Sequence, residues 1–124
     1  MILVDTSIWA DHLRRGEPVM ALLLAEGRVM IHPFVIGELA LGNLPDREAT
    51  IAALRDLPQV PTLSLDAFLQ GAAEEELVAA GIGFVDVHLL LSVRREPGLR
   101  LWTRDKKLAA RADAGGVHWT PPAS

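Results

Sequence analysis

The amino-acid sequence predicts a single α/β domain, residues 1–124, built as a three-layer α/β/α sandwich around a mainly parallel sheet. Short apolar runs typical of strands alternate along most of the chain with longer segments of helical periodicity. Such alternation implies crossover connections between parallel strands. The chain has 124 residues, which is the size of one domain, and half of them are apolar, enough for a substantial core. The proline-rich residues 120–124 are expected to form a flexible tail.

The first half of the chain contains two strand patterns and four helix patterns. The run MILV at residues 1–4 is typical of a strand buried on both faces, and RVMIH at residues 28–32 indicates a second strand. Proline and glycine mark most of the helix ends in this half. We expect helices from Thr6 onward, from Pro18 to Gly27, from Pro33 to the Gly42-Asn43 pair, and from Pro45 to Pro58.

The second half continues the alternation. The segment QVPTLSL, residues 59–65, indicates a strand that Pro61 confines to the sheet edge. The segments LRLWT at residues 99–103 and GGVHW at residues 115–119 indicate two more strands. Helical periodicity predicts helices over residues 66–80, 85–96 and 104–114.

Composition limits the possible function classes. The formal net charge is −4 and the pI is near 5.5, which argues against a protein that coats nucleic acid with a broad basic face. The absence of cysteine excludes disulfides, thiolate metal sites and a cysteine nucleophile. No signal-peptide pattern begins the sequence and no segment is apolar enough to span a membrane, so we expect a cytoplasmic protein.

Four acidic residues stand in unusual places. Asp5 follows the apolar run of the first strand, and Asp105 follows the strand LRLWT. Glu38 lies inside an apolar helix pattern, where we expect it to share an otherwise apolar face, and Asp86 opens a helix just before three leucines. Taken singly, Asp86 and Asp105 are also suited to cap helices. Because ligands gather at the carboxyl ends of parallel strands, we expect all four acids to converge at one edge of the sheet.

Four carboxylates in one pocket repel one another, and a divalent cation relieves that repulsion. Oxygen-only ligands favour Mg²⁺ or Mn²⁺ over Zn²⁺, so Asp5, Glu38, Asp86 and Asp105 are the candidate metal ligands and catalytic residues. Such a cation suits phosphodiester hydrolysis. The neighbouring hydroxyls of Thr6, Ser7 and Thr103 are candidates to orient the ligands or to bind phosphate, although turn and cap roles explain them equally well.

Four segments resemble the motifs of PIN-domain ribonucleases, specifically the VapC-type toxins of bacterial toxin–antitoxin pairs. They are ILVDTSIWADHLR, IGELALGNL, GIGFVDVHLLLS and LWTRDKKLAARA. The resemblance covers nearly the whole chain. It implies a homodimeric α/β/α ribonuclease that cuts structured RNA, such as transfer RNA or a ribosomal RNA loop, with Mg²⁺ or Mn²⁺, and that a cognate VapB-type antitoxin silences. The four acids of the family fall on Asp5, Glu38, Asp86 and Asp105, and the fourth acts either directly on the metal or through water.

An acidic site needs nearby cations to attract RNA. The candidate phosphate contacts are Arg14, Arg15, Arg104, Lys106 and Lys107, with Arg111 close by in sequence. Trp9 and Leu13 are interpreted either as core residues or as part of an antitoxin groove. His88 is interpreted as structural or, less simply, as a participant near the site. Two other functions stay open from sequence: a non-catalytic binding module with the same fold, and a DNA-directed nuclease of related fold.

Overall fold

The computed structural model describes residues 1–123, and its sheet is parallel throughout. The strands are β1 (Ile2–Val4), β2 (Val29–Met30) and β3 (Arg100–Trp102), in the order β2-β1-β3. All three residues of β1 are at most 1% exposed. Because successive strand residues point to opposite faces, helices cover both sides of the sheet. The α/β class with a parallel sheet is therefore confirmed.

Seven helices surround the sheet in the described residues. They are α1 (Thr6–Arg15), α2 (Pro18–Ala25), α3 (Pro33–Ala40), α4 (Arg47–Arg55), α5 (Leu65–Glu74), α6 (Phe84–Arg95) and α7 (Lys106–Ala114). Proline occupies the first helical turn of α2 and α3, where its missing N–H is not needed. Within residues 1–123 no helix is long and apolar enough to cross a membrane.

Two predicted strands are reduced to single bridges. In the segment 59–65 only Gln59 pairs, in parallel with Ile31, and Leu65 already belongs to α5. In the segment 115–119 only His118 pairs, in parallel with Leu101. Prolines at 58 and 61 remove backbone donors on either side of Gln59, which explains why that edge pairing stops after one residue.

The helix predicted over residues 66–80 is too long. Helix α5 ends at Glu74, and turns follow in which Glu76 and Ala79 adopt positive φ angles of 57° and 58°. Arg111 holds this turn by donating to the backbone carbonyl of Glu76 at 3.1 Å. Gly81, with φ +77°, lies against Lys107: a Cβ built there would be 2.8 Å from the Lys107 Nζ. These contacts fix the segment that leads into α6.

The start of α6 packs in an aromatic cluster. The His88 ring stacks on Phe68 with centroids 4.4 Å apart and meets the edges of Phe34 and Phe84. His88 is 2% exposed, and burial lowers the pKa of its imidazole. His32 lies 5.7 Å away, centroid to centroid, and its Nδ1 caps α3 by accepting from the Phe34 N–H. These contacts favour the structural interpretation of His88.

Candidate active site

The register of the sheet brings Asp5 next to Thr103. Val4 of β1 pairs with Trp102 of β3, so the residues that follow them leave the sheet side by side. The Thr103 hydroxyl donates to Asp5 Oδ2 at 2.6 Å, and the Asp5 N–H donates to the Trp102 carbonyl at 3.0 Å. Two strands thus position the carboxylate through both its backbone and its side chain. As predicted, Asp5 stands at the carboxyl end of a central buried strand.

Asp5 is a buried acid that lacks a cationic partner in the described residues. It is 6% exposed, and burial raises the pKa of its carboxyl. The hydrogen bonds from Thr103 and from the Thr6 backbone oppose that rise, while the charges of Asp105 and Glu38 add to it. The Ser7 hydroxyl lies at the limit of hydrogen-bond distance from Asp5 Oδ2, at 3.5 Å. A carboxylate in this position is costly to ionise.

Asp86 lies in the first turn of α6, and the negative charges of the other three acids repel its carboxylate. Burial first, and then the charges of Asp5, Asp105 and Glu38 in that order, together raise the pKa of its carboxyl to about 6. The Asp86 side chain is half-buried and makes no ion pair in the described residues. The four acids therefore interact electrostatically, although two of them directly precede α1 and α7 and the other two lie within α3 and α6.

Glu38 corrects one expectation. The sequence pattern predicted an apolar face around it, but Glu38 is exposed, and α3 buries Val35 and Leu39 instead. The helix is apolar on more than its buried side, so its pattern did not reveal which residues face the core. The Thr6 hydroxyl donates to Glu38 Oε1 at 2.6 Å and ties α3 to the first turn of α1. Glu38 is thus the acid on α3, it is exposed to solvent, and it is linked to the start of α1 through Thr6.

Asp105 caps α7, the second of the roles that its sequence position suggested. Its Oδ1 accepts from the Leu108 N–H at 2.9 Å, and its own N–H donates to the Thr103 hydroxyl at 3.0 Å. Thr103, 5% exposed, therefore bridges two of the acids, accepting from Asp105 and donating to Asp5. The cap uses one carboxylate oxygen of Asp105 and leaves Oδ2 for water or an ion.

The acids share a field but do not form a closed cage. Among residues 1–123, no three acidic or histidine side chains are arranged so that they could enclose a metal ion as they stand. The donor chemistry nevertheless fits a hard divalent cation, since every candidate ligand is a carboxylate and hydroxyl groups support Asp5 and Glu38. Burial raises the pKa of Asp5 and Asp86, the neighbouring acids add to the rise, and a bound cation would oppose both effects.

The basic residues fall into two groups. Arg14, Arg15 and Arg104 converge on Asp11 with N–O distances of 2.8, 3.8 and 3.1 Å, and Arg104 also pairs with Glu17 at 2.9 Å. These three guanidinium groups outnumber their two acidic partners, so a positive charge remains beside α1.

Elsewhere, Lys106 and Lys107 are exposed in the first turn of α7, directly after Asp105. Arg111 does not join them, because its guanidinium binds backbone carbonyls at residues 75 and 76.

Asp11 is the residue that the sequence interpretation missed. It is the common partner of the arginines at this edge, and two of them, Arg14 and Arg15, follow it by three and four residues on the same helix. That spacing is the known signature of ion pairs on a helix surface and could have identified the network. The pairing with Arg104, 93 residues away, could not have been read from spacing.

Comparisons with known proteins agree with this architecture. Residues 2–114 match the family model described as PIN domain. The chain is 43% identical over 117 residues to Ribonuclease VapC32 of Mycobacterium tuberculosis, in the strains CDC 1551 / Oshkosh and ATCC 25618 / H37Rv, with 94% of each chain covered. The chain therefore belongs to the PIN-domain family and stands among its VapC-type members.

Proposed function

We propose that this chain is a Mg²⁺- or Mn²⁺-dependent endoribonuclease toxin that cleaves structured RNA, a transfer RNA or a ribosomal RNA loop, in the cytoplasm, thereby inhibiting translation. The observation that carries the proposal is the shared field of Asp5, Glu38, Asp86 and Asp105 at the carboxyl edge of the sheet. Burial and then repulsion raise the pKa of Asp5 and Asp86, and no cation among the described residues pairs with either acid. The similarity to a relative named as a ribonuclease supports the same activity.

In this proposal Asp5 and Asp86 are the principal metal ligands, and Glu38 and Asp105 complete the set directly or through water. A bound divalent cation supplies Lewis-acid chemistry that lowers the pKa of water and offsets charge on the scissile phosphate. Thr103 keeps Asp5 oriented and favours its charged form by donating to Oδ2. Thr6 orients Glu38 by donating to its Oε1. The exposed Lys106 and Lys107 are placed to attract phosphates toward the acids.

Cleavage of total RNA by the purified, antitoxin-free protein tests the proposal. The reaction is run with Mg²⁺, with Mn²⁺ and with chelator, for the wild type, Asp86→Asn and Asp66→Asn. Asp66 is the matched control because it is an exposed acid in the first turn of another helix, α5. Discrete fragments that require metal and Asp86, but not Asp66, are the expected result. Intact RNA in every lane, from a folded protein that binds Mn²⁺, would instead favour a non-catalytic binding module.

We also propose that a VapB-type antitoxin docks on α1, α2 and α4. A cavity of about 250 Å³ there is lined mainly by apolar side chains, including Leu13, Leu24 and Leu57. The Trp9 ring is 2% exposed, which confirms its place in the core, yet its Nε1–H has no hydrogen-bond partner among the described residues. An amphipathic helix laid across this cavity would insert one or two apolar side chains between the leucines. Leu13→Asp is expected to weaken antitoxin binding without disturbing metal binding.

A homodimer is the remaining part of the proposal. Leu65, Leu69 and Phe84 are 67%, 55% and 57% exposed on α5 and α6, and the Phe84 ring meets Phe68 with centroids 5.0 Å apart. Apolar side chains grouped in this way are typical of an interface. We expect the double variant Leu69→Asp, Phe84→Asp to be monomeric in light scattering. Leu22→Asp, at an equally exposed leucine on α2, is the control that should leave the dimer intact.

A further inference from the structure

A groove of about 580 Å³ adjoins the acids between α1, α3 and the loop after α3. Its size is within the usual range of small-ligand sites. Glu38, one of the four acids, lines this groove, and so does Thr6, whose hydroxyl donates to Glu38. A substrate held at the acids would therefore place its next residue in the groove. We call it the Asn43 groove, after the residue in its loop wall.

The lining of the Asn43 groove is apolar on its sides and polar at two points. Ala10, Leu13, Leu39 and Leu44 form the apolar part. Asn43 and Arg14 supply hydrogen-bonding groups. Asn43 is exposed, and its side-chain amide makes no hydrogen bond within residues 1–123. A free amide offers a donor and an acceptor side by side, which is the pattern that reads the edge of a nucleobase.

Arg14 gives the groove a cation that a phosphate can contact, and the single surplus positive charge beside the groove offsets Glu38 within it. Arg14 lines the groove and pairs with Asp11 at 2.8 Å, but Asp11 also serves Arg15 and Arg104. With three arginines against Asp11 and Glu17, a positive charge is left over next to a groove that otherwise carries Glu38 as its one acid. A nucleotide would place its phosphate at Arg14 and its base between the apolar walls. An apolar helix would make no polar contact with Asn43 or Arg14.

We propose that the Asn43 groove is a specificity subsite that binds the nucleoside next to the scissile phosphate of an RNA substrate, with Asn43 reading the base edge. This inference rests on the proposed ribonuclease function. Arg14 contacts the phosphate of that nucleotide. The leucine walls hold the faces of the base, since no aromatic ring lines this groove for stacking.

The test is cleavage of a pool of RNA hairpins with randomised loop sequences by the full chain in Mn²⁺, with every cut site sequenced. The wild type, Asn43→Ala and Gln70→Ala are compared. Gln70 is the control because its exposed amide lies on α5 and bonds to Glu74. The wild type and Gln70→Ala are expected to share a base preference at one position flanking the cut. In Asn43→Ala the ratio of cleavage at the preferred base to cleavage at the other bases is expected to fall about tenfold. An unchanged preference in Asn43→Ala overturns the assignment.

A second measurement separates the groove from the activity itself. A defined RNA carrying an abasic residue at the preferred position should slow the wild type by about fivefold or more, as expected for the loss of one or two hydrogen bonds and apolar contacts, and should slow Asn43→Ala much less. Equal slowing of both enzymes would count against a role for Asn43. If the wild type cleaves no RNA in Mn²⁺, the ribonuclease proposal fails and the subsite fails with it. If Asn43→Ala weakens antitoxin binding but keeps every base preference, the groove is a protein-binding surface and the subsite is wrong.

Discussion

Asp86→Asn is expected to make the metal-free protein more stable at neutral pH while removing metal-dependent cleavage. Asp86 is half-buried, and burial together with three neighbouring acids raises the pKa of its carboxyl from 3.8 to about 6. The ionised form is therefore disfavoured in the folded protein. An amide of the same shape removes the charge and with it the repulsion. A residue proposed to bind the cation is thus expected to weaken the fold when the cation is absent.

The size of the effect follows from the pKa. A rise from 3.8 to about 6 corresponds to at most about 3 kcal/mol, at about 1.4 kcal/mol per unit. Because water screens a half-buried group, we expect about 1–2 kcal/mol in the free energy of unfolding. The sign depends on pH. The folded state binds the proton more tightly than the unfolded state, so the penalty is complete above about pH 6 and disappears as the pH falls toward 3.8.

Urea denaturation in chelator, at pH 7.5 and near pH 4, measures this difference. Asp66→Asn is the control, because it also removes a negative charge from the first turn of a helix, α5. It measures how much stability either variant loses through the helix dipole alone. Asp86→Asn should exceed the wild type in stability at pH 7.5 and match it near pH 4, while Asp66→Asn should be slightly less stable at pH 7.5. Added Mn²⁺ should stabilise the wild type but not Asp86→Asn. If Asp86→Asn were less stable than Asp66→Asn at pH 7.5, the repulsion argument would be refuted.

Three further predictions concern residues around the site. Thr103→Val should cost about 1–3 kcal/mol in urea denaturation, because a buried acceptor on Asp5 loses its donor, whereas Thr103→Ser should retain most of the stability. Burial and the nearby His88 lower the pKa of His32 to about 4. The contribution of His32 to stability is therefore complete above about pH 6.5 and is lost as the pH falls toward 4. His32→Asn keeps an acceptor that can cap α3, and it should make the free energy of unfolding, measured by urea denaturation, depend less on pH in this range. Arg104→Ala combined with Lys107→Ala should weaken RNA binding and reduce the slope of log affinity against log salt by up to about 2, and an unchanged slope would show that neither contacts phosphate.

Much of the fold could be predicted because its signals are local. The buried run at Ile2–Val4 and the prolines that open α2 and α3 act over a few residues, and the structure places those elements as expected. The edge strands and the end of α5 depend on distant partners. Gln59 pairs only because Ile31 is beside it, and Arg111 stabilises the turn after Glu74 from across the domain. Local periodicity carries no information about such contacts.

The site shows the same division. Asp5 and Asp105 could be placed at one edge because both follow strands, and the sheet register brings their segments together. How far each carboxylate is buried could not be inferred from the sequence. Glu38 was expected among apolar neighbours and lies exposed, since an α3 that is apolar on several sides does not specify its buried face. The tie from Thr6 to Glu38 spans 32 residues and depends on how α1 and α3 pack.

The position of β1 has a consequence for how the protein is made. This central strand is synthesised well before β3, and Thr103, the hydroxyl that holds Asp5, lies 98 residues further along the chain. Contacts of such long sequence separation form late and slow folding. During synthesis β1 stays without its β3 neighbour until the residues between them have emerged, and a product that stops before β3 lacks the pairing that orients Asp5. A protein proposed to destroy the RNA used in translation would therefore complete its site only after β3 and Thr103 have been synthesised.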